Sequence, residues 1–186
     1  MRTLAVTQNI TLDGRIEMLD DWFSPQRMGE VDNADLRAEN ERQDSAADAF
    51  LVGRSTFTDM RGYWRDLADD TTGVSAYLNG VAKYVVSSTL TDPDWDGTTV
   101  LTGDPVEEVR ALKEQAGRDI VCTGSISLVH PLLSAGLVDE VRLFWYPVVQ
   151  GRGRTLFPDG LRLDHLRLDR VERFANGVAL TVHRLG

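Results

Sequence analysis

Short β-type runs alternate with helical segments along most of this chain. The runs predict strands over residues 3–10, 49–53, 82–87, 98–101, 119–123 and 141–149. This alternation is typical of a mainly parallel sheet covered by helices, because each parallel connection needs a long crossover. The sequence therefore predicts an α/β fold.

The predicted helix with the best marked start begins after Asp104. Asp104, Pro105 and Glu107 place a capping acid, a first-turn proline and a reciprocal glutamate in register, and Gly117 follows the helix. Further helices are predicted over residues 32–44 and 125–135.

The carboxyl-terminal pattern differs from the rest. Residues 161–174 and 178–185 predict two strands joined by the Asn-Gly turn at 176–177, which favours an antiparallel hairpin. Residues 61–72 predict a surface excursion, and no linker separates two halves, so residues 1–186 are expected to form a single domain.

Charge and cysteine content limit the function classes. The chain has 20 basic and 29 acidic residues, a net charge of -9, which disfavours nucleic-acid binding. The single cysteine, Cys122, excludes an internal disulfide and indicates a cytoplasmic protein. The three histidines lack metal-ligand spacing, so we expect no metal site. The chain has no apolar run of about 20 residues, so we expect no membrane partner.

Three predicted strand ends are followed at once by small or hydroxyl-bearing residues. These turns are Gly53, Arg54, Ser55 and Thr56; Ser87, Ser88 and Thr89; and Thr123, Gly124, Ser125 and Ile126. Backbone amides and helix N-termini at the carboxyl end of a parallel sheet suit phosphate oxygens. The alternative is that they are ordinary turns with Ser and Thr as helix caps.

Five segments, in order and with sensible spacing, resemble the dihydrofolate reductase-like family, most closely the riboflavin-biosynthesis reductase (RibD C-terminal) branch. They read LVGRSTF at 51–57, KYVVSSTL at 83–90, DIVCTGS at 119–125, LVDEV at 137–141 and GRGRTLF at 151–157. The resemblance implies a three-layer fold with a mostly parallel central sheet and an antiparallel C-terminal hairpin.

The same resemblance implies NADPH as the cofactor. It places residues 53–56 near the cofactor phosphates, 87–89 beside the adenosine 2'-phosphate, and Gly124, Ser125 and Ile126 around the pyrophosphate. It also implies a homodimer, to which Trp145, Tyr146 and the final hairpin can contribute a surface, although a monomer core explains these residues equally well.

The amino-terminal segment from Asn9 to Gly14 resembles the family turn that borders nicotinamide and substrate. Asp13 can accept hydrogen bonds from a substrate amine, or it can simply belong to a surface turn. Trp22 and Phe23 can wall a flat heterocycle or lie in the core.

Arg27 stands where folate-reducing relatives place a carboxylate, which disfavours dihydrofolate as the substrate. Asp32, Asp35 and Glu39 share a helix face and can offer a substitute carboxylate, although a solvated face is the simpler explanation.

The leading hypothesis is an NADPH-dependent reductase that transfers a hydride to a small polar heterocycle, resembling 5-amino-6-(5-phosphoribosylamino)uracil reductase. One alternative is a dihydrofolate, other pterin or carbonyl reductase. The other is a non-catalytic nucleotide-binding module, which the lack of an evident proton donor favours.

Overall fold

The protein is described by a computed structural model over residues 1–23 and 32–186. Its elements in chain order are β1 (Leu4–Thr11), α1 (Ala34–Ala46), β2 (Ala47–Gly53), α2 (Arg54–Trp64), α3 (Val74–Gly80), β3 (Ala82–Val86), β4 (Thr98–Leu101), α4 (Pro105–Glu114), β5 (Asp119–Thr123), α5 (Ile126–Ser134), β6 (Glu140–Tyr146), β7 (Leu166–Arg173) and β8 (Ala179–Leu185). Within the described ranges, no helix is long and apolar enough to cross a membrane.

The strands form one sheet in the order β4-β3-β2-β5-β1-β6-β8-β7. Strands β4 to β6 of this order pair in parallel, whereas β8 is antiparallel to both β6 and β7. The predicted α/β fold, with a mostly parallel sheet and an antiparallel C-terminal hairpin, is confirmed.

Alternating side chains on β2 show how the sheet is covered. Ala49 and Leu51 belong to a core cluster shared with α4 and α5, whereas Phe50 and Val52 belong to a second cluster with α2 and α3. A third cluster packs α1 on the same face as the second, over β6 and β8. Helices therefore cover both faces of the sheet, which gives three layers.

Helix α4 begins after Asp104 as predicted, but a different glutamate makes the hydrogen bond that returns to the residues before the helix. The Asp104 carboxylate accepts hydrogen bonds from the amides of Val106 and Glu107. Glu108, rather than Glu107, accepts the returning bond from the Gly103 amide at 2.9 Å.

Three predicted boundaries are wrong. Strand β6 ends at Tyr146 rather than at 149, because Pro147 has no amide to donate to the sheet. Strand β7 begins only at Leu166, since Leu161 and Leu163 instead pack on the core. The predicted excursion at 61–72 begins too early, because α2 continues to the buried Trp64.

Candidate functional site

A groove of about 430 Å³ lies at the carboxyl ends of β2, β3 and β5. All three hydroxyl-rich turns reach it, because neighbouring parallel strands end on the same edge of the sheet. Its lining includes Gly53, Arg54, Ser55, Thr56, Ser87, Ser88, Thr89, Ser125 and Ser127. Gly103 and Pro105 add a fourth contribution from the start of α4.

The turns after β2 and β5 are linked by reciprocal hydrogen bonds. The Gly53 amide donates to Ser125 Oγ at 2.8 Å, and the Ser125 amide donates to Thr56 Oγ1 at 3.0 Å. The Gly124 amide donates to Gln8 Oε1 at 3.1 Å. These bonds hold the two turns in one fixed arrangement.

The turn after β5 depends on a left-handed backbone. Gly124 and Ser125 have φ values of 57° and 53°. A Cβ atom on Gly124 would lie 3.1 Å from Thr56 Cγ2, so this position needs glycine for both backbone freedom and space. Ser125 lacks that freedom, and its bonds to Gly53 and Thr56 compensate for the unfavourable backbone.

Two helices begin at the groove without side-chain caps. The residue before α2 is Gly53, which has no side chain, and the hydroxyl of Ser125, which precedes α5, is bonded to Gly53 instead of its own helix. First-turn amides of both helices therefore remain available to an anion. Arg54 is exposed and lines the groove, and it makes no ion pair with any residue of the described ranges.

The side chains of the other residues predicted for the cofactor differ in their surroundings. Ser87 Oγ accepts hydrogen bonds from the amides of Thr89 and Leu90, so Ser87 shapes its turn, while Ser88 is exposed. The side chain of Ile126 is buried in the core beneath the groove. Thr123 faces the neighbouring cavity.

That second cavity is a cleft of about 1080 Å³ between α1 and α2. Its floor is the sheet face opposite α4 and α5, where Thr7, Asn9, Thr123, Phe144 and Tyr146 lie. Its walls include Leu36, Arg37 and Asn40 of α1 and Asp59, Met60 and Tyr63 of α2. Thr7 Oγ1 is buried without a hydrogen-bond partner in the described ranges.

The cleft and the groove are adjacent. Thr123 lines the cleft and Ser125, two residues later, lines the groove. Helix α2 borders both, with Thr56 at the groove and Asp59 at the cleft. The two cavities are therefore neighbours at the carboxyl edge of the sheet.

Asp13 is held by a neighbouring loop. Its carboxylate accepts hydrogen bonds from Thr11 Oγ1 at 2.7 Å and from the amides of Gln150 and Gly151 at 3.0 and 2.8 Å. These bonds, that of Thr11 first, lower the pKa of Asp13 to about 2. Asp13 is not among the residues that line the cleft, so its predicted role in binding or catalysis stays a prediction.

The aromatic wall predicted from Trp22 and Phe23 is formed in the structure by Phe23 together with Tyr146. Phe23 lines the cleft and packs edge to face on Tyr146, with ring centroids 5.7 Å apart. Trp22 lies behind them, and its Nε1 donates to Gln150 Oε1 at 2.7 Å. Tyr146, which the sequence offered for a dimer surface, lines the cleft instead, and burial raises its pKa.

Asp32, which precedes α1, and the acids Asp35 and Glu39 within α1 point in different directions. Asp32 lines the cleft, but Asp35 accepts a bond from the Ala175 amide at 2.7 Å. Glu39 is buried away from the cleft and paired with Arg170, so neither the substitute carboxylate nor a solvated face describes it correctly. Although burial opposes ionisation, hydrogen bonds, that of Arg170 foremost, hold the pKa of Glu39 below its usual value. Arg27 lies outside the described residues.

Sequence reasoning missed most of the cleft walls. Leu36, Arg37 and Asn40 recur at helical spacing, as do Asp59, Met60 and Tyr63, so each set shares one helix face. That spacing was the available signal, but it does not say which face meets the sheet.

Sequence comparison finds a family model and a relative that match nearly the whole chain. The family model of the RibD C-terminal domain matches residues 2–180. The protein YyaP of Bacillus subtilis (strain 168) is 31% identical over 186 residues, covering 98% of this chain and 94% of the relative.

Several solved structures share the fold. Dihydrofolate reductase from Enterococcus faecalis, complexed with NADP(H), superposes with a TM-score of 0.65 and 18% identity over 98% of this chain and 95% of that one. A diaminohydroxyphosphoribosylaminopyrimidine deaminase/5-amino-6-(5-phosphoribosylamino)uracil reductase from Thermotoga maritima gives 0.68 and 18%, covering 100% of this chain and 57% of the longer protein.

Proposed function

Because the chain belongs to the RibD C-terminal domain family, we propose that it is an NADPH-dependent reductase of a small heterocyclic molecule. The observation that carries this proposal is the groove with two uncapped helix N-termini directly beside a ring-sized cleft. The fold shared with a dihydrofolate reductase that was solved with NADP(H) supports a nicotinamide cofactor.

The groove suits the phosphates of a dinucleotide. Uncapped first-turn amides of α2 and α5 can donate to the pyrophosphate. Arg54, which has no ion pair with a described residue, can bind a further phosphate through its guanidinium fork. Ser88 and Thr89 add hydroxyl donors on the β3 side. The remaining ring of the dinucleotide would then extend past Thr123 into the cleft.

In this proposal the bound cofactor supplies the hydride, and the protein supplies position and environment. Thr7 and Asn9 on the floor offer hydrogen bonds to a ring edge, and Phe23 and Tyr146 exclude water from one side. Asp13 stays ionised at neutral pH and therefore cannot donate the proton that accompanies hydride transfer. Ordered water can supply that proton instead.

The melting temperature measured with NADPH, with NADH and without ligand tests whether the protein binds a nicotinamide cofactor and which one it prefers. At 100 times its dissociation constant, a cofactor should stabilise the native state by about 2.7 kcal/mol. Replacing Arg54 with alanine should weaken NADPH binding about ten-fold, because a charge-assisted bond to phosphate is lost. The substitution should leave the melting temperature without ligand nearly unchanged, since Arg54 is exposed.

Arg162→Ala is the matched control, because Arg162 is also exposed and pairs with Asp164 outside both cavities. It should respond to NADPH like the unchanged protein. Absence of any stabilisation by either nucleotide would overturn the proposed function. Stabilisation without NADPH consumption across candidate pterins, pyrimidines and carbonyls would favour the nucleotide-binding module.

We also propose that the chain forms a homodimer through the β7 edge of the sheet. A bulge between Leu168 and Arg170 places Leu166, Leu168 and Val171 on one face, and all three side chains are exposed. An exposed apolar edge strand is a ready surface for a second copy of the chain.

Light scattering after gel filtration tests this pairing. Leu168→Asp should convert the dimer to a monomer, because a carboxylate would be buried in the apolar contact. Leu12→Asp is the control, since Leu12 is similarly exposed but follows β1, which β6 and β8 separate from β7. A monomeric unchanged protein, or a dimeric Leu168→Asp variant, would contradict this interface.

A further inference from the structure

The groove and the cleft differ in charge. The groove offers Arg54 and two uncapped helix N-termini, which favour anions. The described lining of the cleft holds two carboxylates, Asp32 and Asp59, and one cation, Arg37. Among the described residues, the features that favour phosphate are therefore concentrated on the groove side of Thr123.

The positive end of α1 also opens toward the cleft but is already neutralised. Asp32 Oδ1 accepts a hydrogen bond from the Ala34 amide at 3.1 Å, and Asp35 Oδ1 accepts one from the Leu36 amide at 2.8 Å. Two carboxylates at one helix N-terminus cancel the partial charge that would otherwise attract an anion.

Arg37 and Asp59, the charged side chains that α1 and α2 contribute to the cleft, do not create an anion site there. Arg37 extends to the Thr71 carbonyl, 3.5 Å from its Nη1, at the opposite side of the opening. Asp59 is exposed at the cleft wall and makes no hydrogen bond or ion pair within the described ranges, so its carboxylate has no compensating cation there. A phosphate monoester, which carries a charge of about -1.5 to -2 at neutral pH, would be repelled there.

The rest of the cleft is aromatic and apolar. Phe23, Tyr146 and Phe144 lie toward the β6 side, and Tyr63 and Trp64 lie on α2 across from them. Such walls accept a flat ring through its faces and edges. Thr7 Oγ1 and Asn9 on the floor supply the polar contacts that fix a ring's orientation.

We infer that the substrate bound in this cleft is a flat ring compound, uncharged or positively charged, that carries no phosphate. This inference rests on the proposed function for the meaning of substrate, but the selectivity is a property of the cleft itself. It separates the chain from the phosphoribosyl substrate named for the Thermotoga maritima protein. Asp59 and Asp32 are then the residues that determine specificity.

Calorimetric titration of three naphthalene probes into the NADPH-saturated protein tests the inference. The probes are naphthylmethylammonium, naphthalenemethanol and naphthyl phosphate. Saturation with NADPH fills the groove, so naphthyl phosphate cannot bind there. We expect the ammonium and alcohol probes to bind at least about ten-fold more tightly than the phosphate, since the described lining sets two carboxylates against one cation.

The Asp32→Asn/Asp59→Asn double variant should reduce that difference to about three-fold or less. Asparagine at 32 can still accept the Ala34 bond, so the helix start is kept. Asp159→Asn/Asp164→Asn makes the same change in net charge at exposed positions outside the cleft and should leave the selectivity unchanged.

Tighter binding of naphthyl phosphate, equal binding of all three probes, or binding of none would overturn the inference. The inference would also be overturned if the double variant and its control showed the same selectivity among the probes. Failure of NADPH to bind would instead count against the proposed function, and the probes would still report the cleft's selectivity in the protein alone.

Discussion

Replacing Arg142 with methionine is expected to lower the free energy of unfolding by about 3 kcal/mol. Arg142 is buried on β6, and its Nε donates to Glu140 Oε1 at 2.5 Å. Its other nitrogens lie 3.4 Å from Asp119 Oδ2 and 3.5 Å from Gln43 Oε1. Removing one partner leaves a buried carboxylate without its close cation, which typically costs about 3 to 5 kcal/mol. We place the loss at the lower end because Arg184 stays 3.7 Å from Glu140.

Urea unfolding followed by tryptophan fluorescence measures this loss. The double variant Arg142→Met/Glu140→Leu should recover most of the stability, because the unpaired carboxylate is removed as well. Arg162→Met removes an exposed pair and should stay within about 0.5 kcal/mol of the unchanged protein. A loss for Arg142→Met no larger than that of Arg162→Met would show that the buried network contributes little.

The groove could be predicted from the sequence because its geometry follows from topology. Parallel strands end on a common edge, so turns after β2, β3 and β5 must lie near one another once these strands are neighbours. Gly53, Ser87 and Gly124 mark those ends directly in the sequence. The sequence does not state which strands are neighbours, but the alternation of strands and helices favours parallel pairing among them.

The cleft could not be predicted, because its walls depend on how the helices turn relative to the sheet. Glu39 looks like an exposed helix residue, yet Arg170, far along the chain, pairs with it and buries it. Asp13 looks like a free acceptor, but the loop at Gln150 satisfies it. Such contacts between distant segments leave no periodic signal in the chain.

Replacing Thr56 with valine is expected to weaken NADPH binding roughly 30-fold, the largest functional effect among our predictions. Valine keeps the shape of threonine but removes Oγ1, which accepts the Ser125 amide at 3.0 Å. Ser125 has a positive φ, so loss of this bond should let the turn relax and move the start of α5. The Gly53 amide, bonded to Ser125 Oγ, would then shift as well, which would disturb both helix N-termini together.

The free energy of unfolding should fall by only about 1 to 2 kcal/mol, as for one unsatisfied amide, so the variant should remain folded. Thr58→Val is the matched control on the same helix, since the Thr58 hydroxyl is exposed and donates to the Arg54 carbonyl within α2. Titration of both variants with NADPH tests this site, because Thr56 lines the groove and links the two turns, whereas Thr58 does neither. Equal NADPH affinity in both variants would mean that the linked turns do not form the phosphate site, and the cofactor would have to bind elsewhere on the sheet edge.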